Sequence, residues 1–177
     1  FREALTVRFF RREPKLGVLF VCMGNICRSP TAEAVFRRHA REAKIERRLH
    51  IDSAGTHANH IGEPPDLRSI ATASRRDYDL RKIRARKFAP ADFATFRYVL
   101  ALDRHNLKSL EALRPEDFDG YLGRLLDFAP DTDERDVPDP YYGGPDGFEK
   151  VLDLVETASR GLLARIEADL AAGNPER

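Results

Sequence analysis

Both cysteines of the chain fall in one short stretch, Val21-Cys22-Met23-Gly24-Asn25-Ile26-Cys27-Arg28-Ser29-Pro30. Five uncharged residues separate Cys22 from Arg28. A loop of that length can curl so that successive backbone N–H groups point inward, and it leads into a helix start at Ser29 and Pro30, where more N–H groups lack partners. Such a loop is a cradle for an anion of phosphate size. Gly24 permits tight backbone geometry, and Asn25 tolerates unusual dihedrals while bonding locally. The forked guanidinium of Arg28 suits two phosphate oxygens, a geometry that lysine cannot copy. A cysteine thiolate at the floor of the cup is a nucleophile aimed at phosphorus. The expected chemistry is attack by Cys22 to give a cysteinyl-phosphate, while Arg28 and the amides of Met23, Gly24, Asn25, Ile26 and Cys27 stabilise the equatorial oxygens. Ser29 can hydrogen-bond to the sulfur and assist its departure when water cleaves the intermediate.

The leaving oxygen needs a proton, which a carboxyl on another loop must supply. Asp131, Asp133, Asp136 and Asp139 are all candidates. Asp139 stands out because Pro138 and Pro140 stiffen its loop, and because Tyr141 and Tyr142 follow it and can flank a flat substrate ring. The residues alone leave the four open. Asp103 reads as a helix cap rather than an acid. His57 and His60 sit in a polar loop without cysteines or carboxylates at ligand spacing, so no metal is expected, and thiolate–arginine chemistry needs no cofactor.

These groups are far apart in the chain, so a fold must gather them. Leu16 to Val21 is a nearly continuous apolar run, the pattern of a strand buried on both faces of a parallel sheet. The spacing then predicts a helix from Ser29, a short strand at Leu49 to Asp52, a polar loop through His57 to Asp66, and a helix capped by Asp66. A third strand is expected at Phe96 to Leu102, a helix from Asp103 through Leu113, and a fourth strand around Leu125 and Leu126. A long amphipathic helix carries Val151, Leu154, Val155, Ala158, Leu162, Ile166 and Leu170. Alternating strands and helices predict a three-layer α/β sandwich with a central four-stranded parallel sheet, helices on both faces and the phosphate loop after the first strand. Ligands of such sheets bind beyond the carboxyl ends of the strands.

Composition narrows the setting. With 177 residues the chain suits one domain, expected over residues 15–177, behind a basic and aromatic arm at residues 1–14. Thirty Lys and Arg against 29 Asp and Glu leave a formal charge of +1, which gives no global field for nucleic acid. The sequence has no run suited to spanning a membrane, no disulfide framework and no signal-peptide pattern, so the cytoplasm is the expected location.

The stretch Leu19 to Glu33, LFVCMGNICRSPTAE, resembles the signature loop of the low-molecular-weight protein tyrosine phosphatases. The likeness continues through Asp52 to Thr56, Gly62 to Arg68, Arg84-Ala85-Arg86, Leu102-Asp103 with Asn106-Leu107, and Asp139-Pro140-Tyr141-Tyr142. It implies hydrolysis of protein phosphotyrosine, with Cys22 as nucleophile, Arg28 as phosphate clamp, Asp139 as general acid and Ser29 assisting the thiolate. It also implies that Asn25 and Ser53 support the loop, that Tyr141 and Tyr142 wall the cleft, and that Cys27 can form a reversible disulfide with an oxidised Cys22. The implied partner is a tyrosine-phosphorylated protein, an autophosphorylating kinase among the candidates, with inorganic phosphate as product and a monomer or weak dimer as the acting species. Two departures bear on substrate. Asn59 stands where relatives carry a stacking aromatic, and Ile83 stands where some carry a polar member of the loop-supporting network. The alternatives are a protein arginine phosphatase, which Ile26 suits less well than threonine would, and a non-catalytic phosphoprotein-binding module, which would not need Cys22, Arg28 and Asp139 intact.

Overall fold

The computed structural model describes residues 14–173. The expected arm therefore lies, apart from Pro14, outside the described residues. Strand β1 (Leu16–Cys22) is buried along its whole length. Its side chains alternate between two apolar clusters, as the two-residue period of a strand requires: Leu16, Val18, Phe20 and Cys22 enter one, Leu19 and Val21 the other. Strands β2 (Leu49–Gly55), β3 (Tyr98–Ala101) and β4 (Tyr121–Arg124) complete a parallel sheet in the order β2-β1-β3-β4. The predicted four-stranded α/β sandwich is the observed one.

Helices α1 (Arg28–Glu42), α2 (Leu67–Ser74), α3 (Asp92–Thr95), α4 (Arg104–Glu111) and α5 (Pro145–Ala171) supply the outer layers. Helices α1, α2 and α5 bury Phe36, Ala73, Val155 and Leu162 in the cluster that holds Phe20. Helices α3 and α4 put Phe93 and Leu110 in the cluster on the other face. Because β1 leads to α1 on one face and β3 to α4 on the other, the connections diverge between these two neighbouring strands. The crevice that this divergence opens at the carboxyl end is where ligands bind such sheets.

Caps define the helix starts that matter to the site. Asp66 accepts the Arg68 N–H at the head of α2, and Asp103 accepts the Asn106 N–H at the head of α4. The fourth strand differs from expectation. It spans Tyr121–Arg124, and Leu125 and Leu126 belong to a 3₁₀ turn, Leu125–Phe128. Both leucines are fully buried in the same cluster, which adjacent residues of an extended strand cannot be, since they point to opposite faces. Strand β2 runs three residues past the expected Asp52, to Gly55, and α4 stops at Glu111, leaving Leu113 exposed. No helix among the described residues is long and apolar enough to cross a membrane.

Candidate active site

Cys22 closes β1, in register with Gly55 at the end of β2. Beyond these strand ends the two chains stay tied, with Thr56 N–H donating to the Cys22 carbonyl at 2.9 Å and His57 N–H to the Met23 carbonyl at 3.0 Å. The loop that follows turns at Asn25, whose φ of 55° lies in the left-handed region. Asn25, expected to tolerate unusual dihedrals, carries the positive φ, while Gly24 has none and lies in a close approach, where a Cβ would be 3.1 Å from His60 Cδ2.

The Asn25 side chain is buried and saturated. Its Nδ2 donates to Ser29 Oγ at 2.8 Å and Ser53 Oγ at 3.0 Å, and its Oδ1 accepts the Arg86 N–H at 3.0 Å. An asparagine held on three sides can keep a strained φ that would otherwise relax. Ser53 passes the chain on, donating to Glu33 Oε2 at 2.6 Å, and Arg37 reaches Glu33 Oε1 at 3.1 Å. Burial pushes the Glu33 carboxyl above its ordinary range against the opposing pull of Ser53. Ile83, in place of a polar supporter, packs half-buried against the larger apolar cluster and adds nothing to this network.

Ser29 Oγ lies 3.0 Å from Cys22 Sγ. Because Asn25 already donates to that oxygen, the hydroxyl proton is free to point elsewhere, and the sulfur is closer than the alternative acceptor, the Ala54 carbonyl at 3.4 Å. Arg28 is 2% exposed. Its Nη1 donates to Asp103 Oδ2 at 2.6 Å and to the Val137 carbonyl at 3.2 Å, and its Nη2 lies 3.5 Å from Asp139 Oδ2. Burial works against the cation, but Cys22, Asp103 and Asp139 outweigh it and hold the guanidinium above its usual range. Burial, reinforced by the charge of Asp66, pushes the Cys27 thiol up to about 12, so at neutral pH it is protonated. Both cysteines are free thiols.

These groups meet at a cleft of about 190 Å³ lined by Cys22, Met23, Gly24, Ile26, Cys27 and Arg28, with Asn59, His60, Asp139, Tyr141 and Tyr142 around its mouth. Of the four candidate acids, Asp139 alone lines it. Asp136 instead accepts from Arg104 N–H and Arg124, away from the sulfur. The Tyr141 and Tyr142 rings meet edge to face, centroids 4.9 Å apart, and Tyr142 is 96% exposed, so it anchors nothing in the apolar interior. Asn25 and Ser53 stay behind the loop and do not face the cleft.

Three residues of the site were not foreseen in these roles. Asp103 caps α4 with one oxygen and grips Arg28 with the other. His60, set aside as a non-ligand, forms part of the cleft wall, with Nδ1 against Glu63 at 2.8 Å. Glu33 extends the network beneath the loop; its place in the Pro-Thr-Ala-Glu run of α1 was the available signal.

The model of the family described as low molecular weight phosphotyrosine protein phosphatase matches residues 17–172. A low molecular weight protein-tyrosine-phosphatase from Streptomyces coelicolor is 47% identical over 152 residues, covering 84% of this chain and 92% of that protein. A crystal structure of a protein tyrosine phosphatase from Entamoeba histolytica, with Hepes in its active site, superposes with a TM-score of 0.83 at 36% identity, over 87% of this chain and 98% of that one. The structure of a Drosophila arginine phosphatase superposes at 0.80 with 26% identity, over 86% and 98%. With the cysteine loop, its arginine and the sheet that carries them already in place, the chain belongs to the low molecular weight phosphotyrosine protein phosphatase family and is a cysteine-dependent phosphatase of that class.

Proposed function

We propose that the chain removes phosphate from tyrosine side chains of proteins, with Cys22 as nucleophile, Arg28 as clamp, Asp139 as general acid and Ser29 as the hydroxyl that assists the sulfur. The observation that carries this reading is the convergence of the Cys22 sulfur, the Arg28 guanidinium and the Asp139 carboxyl on one small cleft. In the first step the thiolate forms an S–P bond as the P–O bond to the phenol breaks, and Asp139 gives its proton to the departing oxygen. Charge on the equatorial oxygens is met by Arg28 and the amides of residues 23–27. In the second step water attacks phosphorus as the S–P bond breaks, its proton passes to the Asp139 carboxylate, inorganic phosphate leaves, and the Ser29 hydroxyl donates a hydrogen bond to the departing Cys22 thiolate.

Met23, Gly24, Ile26 and Cys27 form the cup, Tyr141 and Tyr142 one wall for the ring, and Asn59 with His60 the opposite rim. Asn25 and Ser53 hold the loop from behind. Cys27 is the partner for an oxidised Cys22, forming a disulfide that protects the nucleophile. Free thiols at such a site suit a reducing cytoplasm, where the substrate is a tyrosine-phosphorylated protein, an autophosphorylating kinase included. Residues 15–177 are the catalytic domain in this reading, and the arm before them is outside it.

The test is hydrolysis of p-nitrophenyl phosphate and a phosphotyrosine peptide, with phosphoarginine as competitor, on wild type, Cys22→Ser and Asp139→Asn. Loss of all turnover in Cys22→Ser, with a deficit of roughly 100-fold or more in Asp139→Asn that is greatest for poor leaving groups, supports the roles given. A preference for phosphoarginine moves the substrate toward the second reading, which the likeness to the Drosophila arginine phosphatase supports. Failure of the folded, reduced protein to turn over any of these overturns the catalytic reading and leaves phosphate binding.

A further inference from the structure

The acid sits on a loop with few attachments. Among the described residues, the hydrogen bonds that tie residues 138–143 to other elements come from two guanidinium groups, Arg28 and Arg68. The first is weak, with Arg28 Nη2 at 3.5 Å from Asp139 Oδ2, the outer limit of a hydrogen bond. The second is firm, with Arg68 Nη1 donating to the Tyr141 carbonyl at 3.0 Å. The N–H of Tyr141 in turn donates to Asp139 Oδ1 at 3.1 Å. Whatever fixes the Tyr141 backbone therefore aims the Asp139 carboxyl.

Arg68 is itself held by several partners. Its Nε and Nη2 form a fork onto the two oxygens of Asp66, at 3.0 and 2.8 Å, and the backbone N–H of Asp66 donates to the carbonyl of Ile26, inside the phosphate loop, at 2.8 Å. The guanidinium lies over the ring of Phe148, 4.7 Å from its centroid, and over that of Tyr141 at 5.4 Å. Phe148 packs with Ile26 and Cys27 of the same loop. Besides the weak Arg28–Asp139 contact, a second path from phosphate loop to acid thus runs through Ile26, Asp66, Arg68, Tyr141 and Asp139, and one side chain joins its two halves. Lysine cannot combine a fork onto a carboxylate, a third bond to a carbonyl and a flat face between two rings. With Arg68 47% and Asp66 13% exposed in their side chains, the ion pair adds little to global stability. Its consequence is local.

We propose that Arg68 is a positioning residue that locks the acid loop to the phosphate loop and so fixes where Asp139 delivers its proton. The proposal rests on Asp139 being the general acid, and its test separates the two. Values of kcat/KM are measured for aryl phosphates of graded leaving-group acidity on wild type, Arg68→Gln, Arg68→Lys, Asp139→Asn and the double variant Arg68→Gln/Asp139→Asn, with thermal melting of each. Arg68→Gln is expected to melt close to wild type and to lose about 10- to 100-fold on phenyl phosphate but far less on p-nitrophenyl phosphate, because a displaced acid hurts most where the proton matters most. Arg68→Lys, which keeps the charge but neither fork nor stacking, should share the steepened leaving-group dependence. The double variant should be no slower than Asp139→Asn, since a misplaced acid costs nothing once the acid is gone. If Asp139→Asn leaves the leaving-group dependence as in wild type, the acid assignment fails and this proposal with it. If Asp139→Asn steepens it while Arg68→Gln does not, or if the Arg68→Gln loss persists in full in the double variant, Arg68 does not act through Asp139, and the proposal alone is overturned.

Discussion

At the scale of single residues, Asp103 shows how much one carboxylate does when each oxygen has its own partner. Oδ1 accepts the Asn106 N–H at 2.7 Å and Oδ2 accepts Arg28 Nη1 at 2.6 Å. An amide at this position has one acceptor and one donor, so it must present N–H either to a backbone N–H or to a cation. Asp103→Asn is therefore expected to weaken inorganic phosphate as a competitive inhibitor and to lower kcat/KM, each by about tenfold or more, the share of one charge-assisted hydrogen bond. Helix α4 loses about 1 kcal/mol of capping at most. Unchanged phosphate inhibition in the folded variant would show that Arg28 needs no such orientation. The cap was legible in the sequence because its partner is three residues on. The grip on Arg28 was not, since the two lie 75 residues apart and no spacing rule links them. His60 escaped for the same reason: its neighbour is Gly24, brought there by the register of β1 and β2.

At the scale of elements, the reading succeeded where a pattern is periodic and faltered where packing decides. Strand β1 and helix α5 declare themselves by apolar runs and by spacings of three and four. The phosphate loop declares itself by residue types, and the placement of Cys22, Arg28 and Asp139 at one cleft follows from strands ending level. Leu125 and Leu126 misled because two adjacent leucines suit a buried strand or a turn equally well, and the choice is made by α5. That helix comes so close to the turn that a Cβ at Gly161 would lie 2.0 Å from the Phe128 carbonyl oxygen. Helix propensity alone favours other residues over glycine here by up to about 1 kcal/mol. Close approach should win, and Gly161→Val is expected to lower the unfolding free energy in urea by about 1–3 kcal/mol, the usual cost of overpacking, or more. A neutral or stabilised variant would mean that turn and helix separate freely. Since neither the turn nor Gly161 lines the cleft, kcat/KM of the folded fraction should stay close to wild type.

At the scale of the whole molecule, the fold keeps several weak acids neutral by burying them. Burial pushes the Cys27 thiol up to about 12 and the Tyr78 phenol up to about 12, the latter reinforced by the hydrogen bond that Tyr78 donates to Glu156 at 2.9 Å. Tyr98 and Tyr121 are also raised, by burial first and then by Asp169 and Asp127. They sit on β3, on β4, in the phosphate loop and beside α5. The unfolded chain releases these protons near the ordinary values, about 8.5 for a thiol and about 10 for a phenol. The folded chain holds them, and where the native state binds more protons than the unfolded state, stability falls as pH rises. Stability measured by urea unfolding should therefore begin to decline near pH 9 and fall most steeply between about 10 and about 12. Tyr78→Phe removes one of the titrating groups. It should cost about 1 kcal/mol at neutral pH for the lost hydrogen bond, yet flatten the alkaline decline by the share of one proton, so that its curve converges on that of the wild type toward pH 12. Parallel curves for the two proteins across that window would mean that the Tyr78 phenol ionises in the folded state as readily as in the unfolded chain.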